Sequence, residues 1–158
     1  ELYGYSSGGH DGSAQRNEIE KFSFATDGNS TDVADLLSTN NNGSGASGID
    51  YGYAVGGVSS LSSNLLIQKF SYSSDGNSVD VGDLYSAIGT PTNAIDTGGA
   101  NVSCSTTHGY RCGTGGGLPI PTGIDRWSFI SDGNATDVGD VIQDGSGGGR
   151  QDGTGFED

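Results

Sequence analysis

One three-part phrase recurs three times in this chain at fixed internal spacing, and a repeat of that kind imposes a modular fold before any single residue is considered. It opens on Tyr3-Gly4-Tyr5, Tyr51-Gly52-Tyr53 and His108-Gly109-Tyr110. Seventeen residues after the second Tyr stand Phe22, Phe70 and Trp127, inside Lys21-Phe22-Ser23-Phe24, Lys69-Phe70-Ser71-Tyr72 and Arg126-Trp127-Ser128-Phe129. Twenty-two residues after it stand Asp27, Asp75 and Asp132, each opening Asp-Gly-Asn. Every copy then runs into an acidic tract: Asp32-Val33-Ala34-Asp35-Leu36, Asp80-Val81-Gly82-Asp83-Leu84 and Asp137-Val138-Gly139-Asp140-Val141. Between copies the spacing varies, 48 residues and then 57, and the difference falls after the acidic tract. Variation of this kind belongs to surface loops, here residues 40–48 and 89–107.

The period inside each unit is that of strands. Aromatics alternate at i and i+2 in 19–24, 65–72 and 124–129, the Tyr phrase forms a strand closed by Gly-Gly, and Asp-Gly-Asn supplies a tight turn. The acidic tract returns as the antiparallel partner, and a fourth strand per unit has no assignable position. With 30 Gly and few residues at helical spacing, the expected class is all-β. The units run approximately over 1–38, 39–88 and 89–142, with 143–158 reading as the start of a truncated fourth. A hydrophobic fraction of 31% makes the core thin or shared between neighbouring units.

Twenty acidic against six basic residues, a net charge of −14, oppose binding to nucleic acid or an anionic membrane surface. The chain has no run of 18 or more apolar residues, the length a membrane helix needs. Lys21, Lys69 and Arg126 share one strand position, which predicts pairing with a repeated Asp of the same or the adjoining unit. Asp27, Asn29, Asp75, Asn77, Asp132 and Asn134 are the calcium candidates, although the spacing of a helix-loop-helix calcium site is missing and turn chemistry accounts for the same residues. Three equivalent carboxylate turns also argue against glycosidase catalysis, which needs an acid and a base in different environments. For Cys104 and Cys112 a local disulfide and free thiols both stand, and with His108 they can be drawn as a metal cluster or as a satisfied loop His. Asn29, Asn42, Asn101 and Asn134 head N-glycosylation triplets, which chance alone supplies in so Asn- and Ser-rich a chain.

Aromatic-x-x-Gly-Gly, then Ile-x-Lys-Phe-x-Phe, Asp-Gly-Asn and Val-Gly-Asp-Leu resemble the kelch repeat, with Asp32, Asp80 and Asp137 where that repeat usually carries Trp. The unit is more similar still to the kelch-like repeats of structural and tail-fibre proteins of marine phages and of secreted marine bacterial proteins. Its turn also resembles the Asp-box hairpin of sialidase-like propellers, without the aromatic. The resemblance implies a β-propeller segment of about three blades, part of a longer chain or completed by oligomerisation. It further implies a non-enzymatic structural and attachment module, extracellular or on a virion surface, that binds glycan or partner proteins through loops 40–49 and 86–107. Self-association, no catalytic residues and no cofactor beyond calcium complete the expectation. The alternatives are a non-catalytic propeller domain of a secreted carbohydrate-active enzyme and a calcium-stabilised adhesin.

Overall fold

The computed structural model describes residues 2–41, 43–59, 65–85, 101–112 and 122–142. All regular structure in these residues is β. The first sheet is β1 (Tyr3–His10), β2 (Gln15–Ser23) and β3 (Thr31–Asp35), in that order. A two-stranded piece pairs β4 (Asn40–Asn41) with β7 (Val58–Ser59). The second sheet orders β5 (Ser44–Ser47), β6 (Tyr51–Val55), β8 (Leu66–Ser71) and β9 (Val79–Asp83); the third orders β10 (Asn101–Cys104), β11 (His108–Cys112), β12 (Gly123–Ser128) and β13 (Thr136–Asp140). All pairings are antiparallel between neighbours, so each sheet is a meander. The expected all-β class is therefore what the chain adopts. The segment 143–158, expected to begin a fourth unit, lies outside the described residues.

The fourth strands are β5 and β10, inside the stretches read as variable loops. They pair with the Tyr phrase, Ser47 opposite Gly52 and Cys104 opposite Gly109. Sequences such as Ser-Gly-Ala-Ser have no apolar alternation to announce a strand, and the neighbouring edge recruits them. The Asp-Gly-Asn turn is also wider than expected. Strands end at Ser23, Ser71 and Ser128 and resume at Thr31, Val79 and Thr136, so a seven-residue connection joins them. The serine of each Lys-Phe-Ser-Phe phrase caps its entry: Ser23 Oγ accepts from the amides of Ala25 and Thr26, Ser71 Oγ from Ser73, and Ser128 Oγ from Ile130 and Ser131.

The acidic tract carries a β-bulge. Ile19 faces Ala34 while Glu20 faces Asp32, and Ile67 faces Gly82 while Gln68 faces Asp80, which leaves Val33 and Val81 out of register. Asp80 holds its bulge by accepting from the Gly82 amide at 3.0 Å, and Asp137 does the same for Gly139 at 3.1 Å. A bulge frees backbone groups from the ladder and sharpens the twist. The freed Val81 carbonyl accepts from Gly133 N–H of the next sheet at 2.8 Å.

Two apolar clusters form the core, and each lies between sheets. Ile19, Ala34 and Leu36 of the first unit pack with Ala54 and Phe70 of the second. Ala46, Tyr53, Val55, Ile67 and Leu84 of the second pack with Trp127 and Ala135 of the third. This shared packing reconciles the low apolar content with burial of Ile19 and Ile67 to 0% exposure.

Candidate binding groove and the repeated junction

The repeated acidic turns join one sheet to the next. Lys21 Nζ binds both carboxylate oxygens of Asp75, at 3.0 and 2.8 Å, and Lys69 Nζ at the equivalent position pairs with Asp132 through Oδ1. Asn77 Oδ1 accepts from Asp35 N–H at 3.0 Å, and Asn134 Oδ1 accepts from Asp83 N–H at 3.1 Å. The amide three residues after each Asp returns a bond: Ser78 donates to the Asp35 carbonyl and Ala135 to that of Asp83. Aromatics complete the junction, with Tyr5 stacked on Tyr72 at 4.9 Å and Tyr53 on Phe129 at 4.7 Å. Each ammonium also faces a ring of its own sheet, Lys21 over Tyr3 and Lys69 over Tyr51. Pairing with the adjoining unit was one of the two arrangements expected of Lys21 and Lys69, and it is the one adopted.

Four of the six calcium candidates, Asp75, Asn77, Asp132 and Asn134, are thus spent on protein partners. Asp27 and Asn29 are exposed on the first sheet's turn. Among the described residues no group of three His, Cys, Asp or Glu side chains lies close enough to hold a metal ion. Cys104 and Cys112 are free thiols, not a disulfide. Cys104 faces Gly109 and Cys112 faces Asn101, so they stand at opposite ends of one hairpin, about 10 Å apart along the strand, beyond disulfide reach. His108 Nδ1 lies 2.9 Å from Thr107 Oγ1 of its own turn, and His10 Nδ1 accepts from Gly12 N–H.

The strength of one junction contact follows from its exposure. Asp132 keeps 58% of its side chain in solvent, so its pair with Lys69 should contribute little. A double-mutant cycle on Lys69→Ala and Asp132→Ala, followed by chemical denaturation, is expected to return a coupling energy below about 1 kcal/mol.

A groove of about 670 Å³ opens between the first and second sheets. Tyr3, Tyr5, Phe24, Tyr53, Phe70 and Tyr72 supply its rings, and Gly45, Ala46 and Ser47 of β5 form the opposite wall. Leu2, Tyr3, Gly4 and Tyr5 line it consecutively. Side chains of a strand alternate between faces, so consecutive lining residues mean that the groove follows the edge of β1. That edge is an outer one among the described residues: there β1 pairs only with β2, whereas β6 and β11 each carry a further strand on the corresponding side. Polar tips sit within the apolar lining. Tyr72 Oη and Ser47 Oγ are 2.8 Å apart, and Tyr5 Oη donates to Asp75 at 3.3 Å. Burial in the wall lifts the Tyr53 phenol to about 12 and raises that of Tyr5, so both stay protonated at neutral pH.

Sequence reasoning placed binding in loops 40–49 and 86–107 and missed this groove. Residues 86–100 of the second loop lie outside the described residues, and part of the first is β5, one wall of the groove. The available signal was the Tyr-Gly-Tyr phrase itself, whose rings were assigned wholly to strand faces. No protein-family model matches the chain, and no curated protein matches it in sequence.

Proposed function

We propose that this chain is a non-enzymatic structural and attachment module of the kelch-like propeller type, working outside the cell or on a virion surface. Its groove takes an extended strand of a partner protein. The observation that carries this reading is the outer edge of β1, unpaired among the described residues, flanked by aromatic rings and facing β5. In the other two sheets the matching edge holds a short four-residue strand, Ser44–Ser47 or Asn101–Cys104. A free edge supplies backbone donors and acceptors in register, and pockets between rings sort side chains; together these are the means of strand addition. Acidic net charge limits the partners to neutral or basic segments.

Titration of the isotopically labelled protein with a peptide of sequence Ser-Gly-Ala-Ser-Gly tests the reading. Saturable amide shifts along residues 2–9 and at the facing wall, residues 45–47, are expected, and they should disappear when the peptide amides are N-methylated. Shifts produced by neutral oligosaccharides and not by the peptide would overturn strand addition in favour of glycan binding.

A further inference from the structure

The two junctions between sheets share an ion pair, an amide-to-Asn bond, a returned backbone bond and a ring stack, and each half of that set exists in a third copy without a partner among the described residues. On the first sheet the turn Asp27-Gly28-Asn29-Ser30 corresponds to Asp75–Ser78 and Asp132–Ala135, yet it has no sheet against it among the described residues. Ser78 and Ala135 are 3% and 5% exposed where a neighbouring strand covers them, whereas Ser30 is exposed. On the third sheet Arg126, Val138 and Asp140 correspond to Lys69, Val81 and Asp83, and all three are exposed. The bulge that presents the Val81 carbonyl is held by Asp80, and Asp137 holds the third sheet's tract in the same way. Tyr110 occupies the position of Tyr5 and Tyr53, while Phe24, equivalent to Tyr72 and Phe129, is 63% exposed.

From this we infer that the third sheet of one molecule docks on the first sheet of a second copy, repeating the internal junction between molecules. Arg126 would bind Asp27, Asn29 Oδ1 would accept from Asp140 N–H, and Ser30 N–H would donate to the Asp140 carbonyl. Gly28 N–H would reach the Val138 carbonyl, and Tyr110 would stack on Phe24. The occupant is a copy of this chain because both halves lie on it and are complementary in charge and in hydrogen bonding: a cation and a ring on one side, a carboxylate, an amide oxygen and a ring on the other. The two surfaces differ, so the contact is heterologous and grows into a closed ring or an open stack according to the rotation per step. The contact shares one ring, Phe24, with the aromatic groove, while its polar half, Asp27, Asn29 and Ser30, lies outside the groove lining.

Charge reversal separates this arrangement from general stickiness. Asp27→Lys places Lys against Arg126, and Arg126→Glu places Glu against Asp27, so each variant alone repels its own copies. An equimolar mixture restores complementary pairs at every contact. Sedimentation velocity over a concentration series is expected to show reversible association of the wild type. Each single variant should associate at least roughly tenfold more weakly, and the mixture should return to wild-type behaviour. A wild type that sediments as monomer at every concentration would overturn the inference, as would variants that associate like the wild type or a mixture that shows no recovery.

Discussion

Gly109→Ala is expected to destabilise the protein by about 3 kcal/mol, near the upper end of the cost of forcing a methyl into a packed core. In all three Tyr phrases the central glycine lies directly across from the aromatic of the next strand: Gly4 from Phe22, Gly52 from Phe70 and Gly109 from Trp127. The ring lies over the bare backbone, so a methyl group at Gly109 would meet Trp127 ring carbon at 2.2 Å, and one at Gly52 would meet Phe70 at 2.3 Å. Neither ring has room to retreat, because Trp127 and Phe70 are 2% and 7% exposed within the inter-sheet clusters. Gly4 is the internal control. A methyl there meets Phe22 at 2.4 Å, but Phe22 is at the surface and can swing outward, so Gly4→Ala should cost less than about 1 kcal/mol. Thermal unfolding reads the contrast. With about 2–4 °C per kcal/mol for a chain of this size, the Gly109 variant should melt about 10 °C below wild type and the Gly4 variant within a few degrees of it.

The second large effect is a pH dependence centred on Asp125. This carboxylate faces Arg111 across β11 and β12, with Nη1 to Oδ2 at 3.5 Å, and both side chains are buried. Burial outweighs the attraction of Arg111 and lifts Asp125 to about 6, with the Asp137 carboxylate adding to the rise. Burial likewise pulls the Arg111 guanidinium down, and its Nε and Nη2 have no hydrogen-bond partner among the described residues. A carboxyl group raised above its unfolded value near 3.9 binds more protons in the native state than in the unfolded one between those two pH values. Its contribution to stability is therefore greatest below pH 4 and is lost as pH rises through 6. At about 1.4 kcal/mol per pKa unit, the change amounts to about 3 kcal/mol. Asp125→Asn removes the titration. Whatever the constant offset between the two proteins, the stability of wild type minus that of the variant should grow as pH falls from 7 to 4. A flat difference, or one of opposite slope, would show that the pair with Arg111 outweighs burial.

The parts of this fold written locally were legible in the sequence. Fixed offsets from Tyr5, Tyr53 and Tyr110 located three strands in each unit, because alternation of aromatics with polar residues is a property of neighbours along the chain. The strands Ser44–Ser47 and Asn101–Cys104 carry no such pattern and exist because an edge is there to pair with. The turn width was misjudged for a related reason: Asp-Gly-Asn suits a two-residue turn, yet its Asp and Asn side chains reach into the next sheet. Their partners, Lys21 and Asp35 or Lys69 and Asp83, lie 42 to 63 residues away. Equal positions in different units pointed to a common role, and three-dimensional pairing decided which. The groove escaped notice because its rings belong to two sheets and its wall to a strand without a sequence signature.

The central claim is that the acidic turns are junctions between sheets, and amide hydrogen exchange at a concentration where the chain is monomeric tests it most directly. Ser78, Gly133 and Ala135 donate across a junction, whereas Gly28 and Ser30, at the same positions of the first turn, face solvent. The first three amides should exchange only on global unfolding, and the last two orders of magnitude faster. Equal exchange in all three turns would contradict the claim, since turns that behave alike cannot be distinguished by a neighbour that only two of them have.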